Sequence, residues 1–383
     1  MENKKILIVT RNFPPLIGGM EKLNFNIFQS IKKNFNIIFA GPVGSSSFHG
    51  LEKYVEFSVR PLWKYIIHSL LKTLLIAIKE KPDIVFCGSG TSILAGYFSA
   101  RVAKASLVCY LHGLDIVADS KIYRWFFLPL IKKSDLIFVN SNHTYKLAIT
   151  AGIDSSCIRI LYPGTELPDI SNKVIASQRF RLRYDIGESP FILIAGRITA
   201  RKGITEFITN VMPGIVETHP ELQLIIIGDE ARDAVKQSLG VKDNIVAAIN
   251  KLDLSNNVKL LGLVDNAILS GAFFAAEMLI FPVLNVVNDV EGFGMVAIEA
   301  AAHGLPTVAF NVGGISDAIS NNYSGWLVES GNYYQMSHII LEAYSPSYSG
   351  PVTLKSCVEF SKQFSWDFFG TKLNDYIKNL QEK

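Results

Sequence analysis

Short runs of β-branched and apolar residues, each closed by a glycine or a polar residue, alternate along the chain with longer stretches of helical character. In the first half the runs fall at Lys5 to Thr10, Asn36 to Ala40, Asp83 to Cys87, Leu107 to Leu111 and Leu136 to Val139. After a polar stretch from Glu166 to Pro190 the alternation restarts with Phe191 to Ala195, Leu222 to Ile227, Val258 to Leu261, Met278 to Phe281 and Thr307 to Phe310. The runs are continuously apolar, as parallel strands are when helices cover both faces of their sheet. The expected class is α/β, with one parallel sheet in each half and ligands at the C-terminal ends of the strands. A length of 383 residues suits two such domains, and the chain from Phe364 to Lys383 reads as a terminal helix anchored by Trp366, Phe368, Phe369 and Tyr376.

Composition excludes several classes and charge adds a polarity. With 49% hydrophobic and 19% charged residues the chain is an ordinary globular one. Residues 1–190 carry 24 Lys+Arg against 14 Asp+Glu and residues 191–383 carry 13 against 20, so halves of +10 and −7 lie behind a net +3. The basic half is expected to face an anionic surface, a membrane in preference to nucleic acid, since no nucleic-acid-binding signature is present. Cys87, Cys109, Cys157 and Cys357 are scattered with no C-x-x-C pair, so neither zinc nor a disulfide framework is expected and a reducing compartment is the simpler setting. The run Ile6 to Val9 is too short for a signal-peptide core, and Glu277, Pro282 and Asn285 interrupt the longest apolar stretch, so a cytoplasmic location is expected.

The densest chemical signal is Glu291-Gly292-Phe293-Gly294-Met295-Val296-Ala297-Ile298-Glu299, a loop opening into a short helix that stops at Gly304 and Pro306. Its glycines let backbone approach a ligand, and the helix start offers free amides to an anion. Glu291 and Glu299 would grip hydroxyls at two depths. A second signal, Gly196-Arg197-Ile198-Thr199-Ala200-Arg201-Lys202-Gly203, brings cations to a strand end, where they can stabilise a departing diphosphate; Arg201 reads as an ordinary exposed basic residue. Gly18-Gly19 forms a strand-to-helix turn, and His112, followed by Gly113-Leu114-Asp115, opens from the end of a strand. His112 suits either the core or a site, and Asp115 either chemistry or a helix cap. Asn140-Ser141 is likewise a cleft position or a cap. No D-x-D pair occurs, so no metal is expected. Gly88-Ser89-Gly90-Thr91-Ser92-Ile93 mimics a dinucleotide fingerprint but lacks its third glycine, so NAD is not expected.

The Glu-x7-Glu pattern around Gly-Phe-Gly resembles the retaining glycosyltransferases of family 4, and the likeness covers nearly the whole chain. It implies the GT-B fold, two Rossmann-like domains facing across a cleft. The implied bounds are 1–165 with helix 364–383 for an acceptor-side domain and 190–363 for a nucleotide-sugar donor domain. By that resemblance Glu291 holds donor-sugar hydroxyls, Glu299 holds the ribose, and the backbone from Phe293 and Gly294 through Met295 and Val296 touches sugar and phosphate. Arg197 and Lys202 sit on the diphosphate, Gly18 and Gly19 lie against the donor, His112 stands near the reacting centre, and Leu263 with Val264 holds the base. His112, Glu291, Arg197 and Lys202 form the implied catalytic set. Gly228-Asp229-Glu230 departs from the family's Gly-x-Gly, which weakens a phosphate role there, and Gly313-Gly314 before Asp317 reads as structural.

The implied activity is hexose transfer, leaning to mannose because of the extended segment Asn285 to Val290, from a nucleotide diphosphate sugar such as GDP-mannose or a UDP-hexose to a glycolipid or polysaccharide. Alternatives on the same fold are a nucleotide-sugar epimerase and a non-catalytic nucleotide-sugar-binding protein. Trp63 to Lys79 reads as a strongly apolar helix carrying Lys64, His68, Lys72 and Lys79, and Lys121 to Lys133 mixes cations with aromatics. Core burial or docking on the inner face of an anionic membrane accounts for both.

Overall fold

The computed structural model describes residues 4–117, 120–121, 123–230 and 240–380. Contacts divide the chain into two units, Met1–Gly164 with Trp366–Lys383, and Thr165–Ser365.

The first unit is built on a seven-stranded parallel sheet. Its strands are β1 (Lys5–Val9), β2 (Asn36–Pro42), β3 (Tyr54–Phe57), β4 (Ile84–Cys87), β5 (Ser106–Leu111), β6 (Leu136–Val139) and β7 (Ile158–Ile160), in the order β3-β2-β1-β4-β5-β6-β7. The strand order reverses between β1 and β4, which are paired in register Leu7 with Val85. Alternate strand residues feed two cores, Leu7, Val85 and Cys109 on one face and Ile8, Phe86 and Tyr110 on the other. Helices α1 (Gly19–Lys32), α2 (Leu62–Glu80) and α3 (Ile93–Ala103) cover the sheet. A terminal helix, Trp366–Asn379, buries Phe369, Leu373 and Ile377 in the core that α1 shares, and Asn374 Nδ2 donates to Ser30 O at 3.1 Å. That helix begins at Trp366, because Lys362–Phe364 is a separate turn in the second unit. Residues 381–383 of the expected helix lie outside the described residues, as does Ile122 of the Lys121 to Lys133 segment.

The second unit carries six parallel strands, β8 (Phe191–Ala195), β9 (Gln223–Ile227), β10 (Val258–Gly262), β11 (Met278–Phe281), β12 (Thr307–Phe310) and β13 (Gly325–Val328), in the order β10-β9-β8-β11-β12-β13. Here the order reverses between β8 and β11. Helices α4 (Ile204–Asn210) and α5 (Met295–Ala302) follow these two strands. The polar stretch expected between the domains belongs to this unit: helix Lys173–Arg183 packs on helix Asn266–Ala275, and its buried Phe180 meets Phe191 at 5.8 Å. Three strands carry no clear signal in the sequence, β3, β7 and β13, and each lies at a sheet edge. An edge strand has one covered flank, so its run is short and admits residues such as Glu56 and Arg159.

Candidate active site

In the second unit the residues after β8 and those after β11 meet where the strand order reverses, the position at which open α/β sheets bind ligands. The loop after β8 is fixed by Ile198, 1% exposed, whose amide donates to Asp229 O at 3.0 Å. The turn Ala200–Lys202 then presses on the loop after β11. A side chain at Gly203, which has φ +65°, would come within 2.1 Å of Pro282 O, and Leu284 N donates to Arg201 O at 2.8 Å. This contact brings Arg201 and Lys202 against Glu291.

Lys202 Nζ donates to Glu291 Oε2 at 2.8 Å and stands 4.4 Å above the Phe281 ring. Arg201 Nη1 donates to the same oxygen, while its Nε faces Asp289 Oδ1 at 3.1 Å. Burial alone would push the Glu291 carboxyl up, but the charges and hydrogen bonds of Lys202 and Arg201 outweigh it and hold it down at about 2. For Lys202 burial lowers the ammonium below its ordinary value, opposed by Glu291 and aided by Arg201 and Arg197. Burial also disfavours the Arg201 charge, yet Glu291 and Asp289 together leave its affinity for the proton raised. Both cations converge on Oε2, so Oε1 takes no hydrogen bond among the described residues and remains available to a ligand hydroxyl.

The basic turn departs from what its sequence suggests. Arg201, expected to be an exposed bystander, has a side chain 14% exposed and is engaged by two carboxylates. Arg197 is exposed and makes no hydrogen bond or ion pair among the described residues, although its charge reaches Lys202. A pairing that spans about ninety residues of sequence leaves no local signal.

The Gly-Phe-Gly loop is held from behind. Gly314 N donates to Glu291 O at 2.9 Å, and a side chain at Gly314 would lie 2.1 Å from Gly292 O, which fits the structural role expected for Gly313-Gly314. Phe293 is 2% exposed and packs on Phe364 at 5.7 Å. Gly294 is the N-cap of α5, whose first turn holds half-buried Met295 and Val296 and has no side-chain cap. Glu299 is half-buried on the same helix. His303 Nδ1 donates to Glu299 O at 2.7 Å and its Nε2 meets Ser270 Oγ at 2.8 Å, an anchor for the end of α5 that the sequence did not single out. Beyond β10, Leu263 is 70% exposed and Val264 half-buried on the same rim of the sheet. Asp229 and Glu230 are engaged locally: Lys242 Nζ lies 3.4 Å from Asp229 Oδ1, and Lys242 N donates to Glu230 Oε1 at 2.8 Å. Among the described residues no group of three His, Cys, Asp or Glu side chains could hold a metal ion.

In the first unit the reversal between β1 and β4 gathers a different set. Gly18 and Gly19 open α1, and Gly18 O accepts Lys22 N at 3.0 Å. His112, 8% exposed, donates from Nε2 to Gly88 O at 2.9 Å, while its amide donates to Asp115 Oδ2 at 3.1 Å. Asp115 therefore orients His112 from the helix that follows. Glu21 accepts Asn12 Nδ2 at 2.7 Å through Oε1, whereas Glu21 Oε2, Asn24 Oδ1 and Arg11 Nε are buried without a partner among the described residues. The Gly88 turn is glycine because Asn24 occupies the space a side chain would need, which accounts for the false fingerprint. Ser141 Oγ accepts Thr144 N at 3.0 Å and Asn140 Oδ1 accepts Thr144 Oγ1 at 2.7 Å, so this pair caps a helix.

Residues 178–357 match the family model for glycosyl transferases group 1, and residues 17–167 match that for glycosyltransferase family 4. The chain is 22% identical to the GDP-mannose-dependent monoacylated alpha-(1-6)-phosphatidylinositol monomannoside mannosyltransferase of Corynebacterium glutamicum over 98% of each chain. It is 25% identical to the capsular polysaccharide biosynthesis glycosyltransferase CapM of Staphylococcus aureus over 100% of each. Among solved structures it resembles Anabaena Alr3699/HepE in complex with UDP and glucose, with a TM-score of 0.78 at 18% identity over 98% of this chain and 100% of that one. A glycosyltransferase from Rickettsia africae ESF-5 gives 0.81 at 17% identity over 99% of each. At such identities the solved structures speak to the fold alone.

Proposed function

The chain belongs to glycosyltransferase family 4 and has the GT-B fold, and from that premise we propose that this glycosyltransferase moves a hexose, mannose first among the candidates, from a nucleoside diphosphate sugar to a lipid-linked or polysaccharide acceptor. Transfer retains the anomeric configuration and needs no metal ion. The observation that carries this reading is the convergence of Lys202 and Arg201 on one oxygen of Glu291 at the strand-order reversal of the second unit, beside the uncapped start of α5.

The acceptor oxygen forms a bond to the anomeric carbon as that carbon's bond to the diphosphate oxygen breaks, and the acceptor's proton passes to the departing phosphate. Lys202 and exposed Arg197 stabilise the charge that builds on the diphosphate, in the place a metal would otherwise take. Glu291 keeps Lys202 ionised and in position, and offers Oε1 to a sugar hydroxyl. Glu299 binds the ribose, Leu263 and Val264 hold the base, and the backbone of Gly294 approaches the donor. The GDP-mannose-dependent relative supports mannose, the UDP-bound neighbour supports a nucleoside diphosphate, and the capsular relative supports a glycoconjugate acceptor. The enzyme works at the inner face of a membrane.

The test is nucleoside diphosphate release from GDP-mannose and UDP-hexoses with a membrane lipid extract as acceptor source. Turnover is expected to survive EDTA and to fall roughly 10²- to 10³-fold in Lys202→Met, the size of loss that follows removal of one group stabilising transition-state charge. Activity lost on chelation and restored by manganese, or a product of inverted configuration, would overturn the reading.

A further inference from the structure

Helix α2 is apolar on both sides. Its buried positions are Tyr65, Ser69, Thr73, Ile76 and Ala77, two of them polar, yet Trp63, Ile67, Leu71, Leu75 and Ile78 are 60%, 47%, 54%, 67% and 50% exposed. The small buried residues let α2 pack closely on α3, and α3 turns its own Phe98 and Val102 outward at 44% and 51%. The following segment, which packs on α3 through Leu128–Ile131, exposes Trp125 by 79% and Phe126 by 64%. A helix covered by its own domain turns its apolar stripe inward, so this outward apolar face calls for an apolar partner outside the described chain.

Charge selects the partner. Across α2, α3 and Tyr123–Ile131 the one carboxylate is Glu80, which is paired with Lys53 at 2.6 Å. Lys64, Lys72 and Lys133 make no ion pair among the described residues but are not idle: Lys64 lies 5.5 Å over Trp63, Lys133 lies 5.3 Å over Tyr97, and Lys72 Nζ donates to Glu56 O at 2.6 Å. Two copies of such a surface would bring like charges together. A bilayer with anionic headgroups satisfies both demands at once, taking the apolar stripe into its acyl boundary and the lysines at its surface.

We propose that α2, α3 and the Trp125–Phe126 turn dock this enzyme on an anionic bilayer by inserting apolar side chains, with the lysines as secondary attraction. The first turn of α2 also reaches the β1–β4 reversal: Tyr65 OH and Ser92 Oγ are 3.1 Å apart, and the Arg11 guanidinium stands 5.7 Å over the Tyr65 ring. The docked helix thus touches Arg11, one of the polar residues at that reversal, and a lipid-linked acceptor would present its headgroup there. That last point rests on the proposed acceptor; the docking does not.

Vesicles of phosphatidylcholine with and without one-third phosphatidylglycerol decide the matter without any turnover. Wild type is expected to co-sediment with the anionic vesicles, and emission from Trp63 and Trp125 to be quenched by brominated acyl chains. Ile67→Glu, Leu71→Glu and Leu75→Glu together are expected to lower the partition coefficient at least tenfold with the melting temperature unchanged. Neutralising Lys64, Lys72, Lys132 and Lys133 is expected to cost less than that. Equal sedimentation of wild type and the triple variant without quenching would overturn the proposal. So would light scattering in which the triple substitution halves the molecular mass, since the face would then join two copies. Sugar transfer to soluble acceptors would persist if docking alone is wrong, and docking would persist if the transfer reading alone is wrong.

Discussion

The two sheets reverse their strand order at equivalent places, between β1 and β4 and between β8 and β11, yet the groups gathered there differ in kind. At the second reversal four charged side chains, Arg201, Lys202, Asp289 and Glu291, satisfy one another, and exposed Arg197 stands beside them. At the first, Arg11, Glu21 and Asp115 form no ion pair among the described residues and stand among a histidine, asparagines and hydroxyls, and Arg11 Nε, Glu21 Oε2 and Asn24 Oδ1 are buried with no partner there. The same topology makes a crevice in both cases. What the crevice holds is set by the few residues after each strand, a cation-rich set suited to diphosphate and a mixed set of carboxylates, amides and hydroxyls suited to a hydroxylated partner.

Acid is expected to separate the two most. The Glu291 carboxyl titrates near 4.5 when unfolded and is held at about 2 when folded, so its stabilising contribution is complete above pH 4.5 and disappears as pH falls through 2. The stability difference between wild type and Glu291→Gln in urea is therefore expected to be flat above pH 5 and to shrink below 4.5, by at most about 3 kcal/mol. A difference independent of pH down to 2 would mean that the ion pairs do not form.

A smaller effect distinguishes the two arginines. Arg201→Ala strands Asp289 and Glu291 with less counter-charge and is expected to cost roughly 2 kcal/mol of stability, below the range for a fully buried pair because the site is partly wetted. Arg197→Ala is expected to stay within about 0.5 kcal/mol of wild type in the same unfolding experiment, as surface substitutions do, while weakening nucleotide binding. The reverse ranking would restore the assignment of Arg201 as a bystander.

How much of this was legible follows the range of the interactions. Strands with neighbours on both sides announce themselves as apolar runs, and α5 starts at Met295 and stops at Ala302 where its glycines and helix formers say it does. The edge strands β3, β7 and β13 are quiet because half their surroundings are not protein. The Glu291 loop was legible as chemistry from its own residues. Its attachment to Arg201 was not, since that bond depends on β8 and β11 being neighbours, a fact of sheet order that neither segment carries. The apolar helix α2 was legible as apolar, but which side faces outward depends on Ser69 and Thr73 fitting α3 more closely than leucine would.

The central claim is that nucleoside diphosphate is held by the second unit's charged reversal. Calorimetric titration of GDP and UDP into wild type, Glu299→Ala and His112→Ala tests it most directly, using whichever nucleotide wild type binds more tightly. Glu299→Ala is expected to lose about 1.5 to 3 kcal/mol, roughly 10- to 100-fold in affinity, as a charge-assisted hydrogen bond is removed. His112→Ala, in the first unit, is expected to bind within about twofold of wild type, because its ring is not among the groups proposed to hold the nucleotide. Unchanged affinity in Glu299→Ala, or an equal loss in His112→Ala, would contradict the claim.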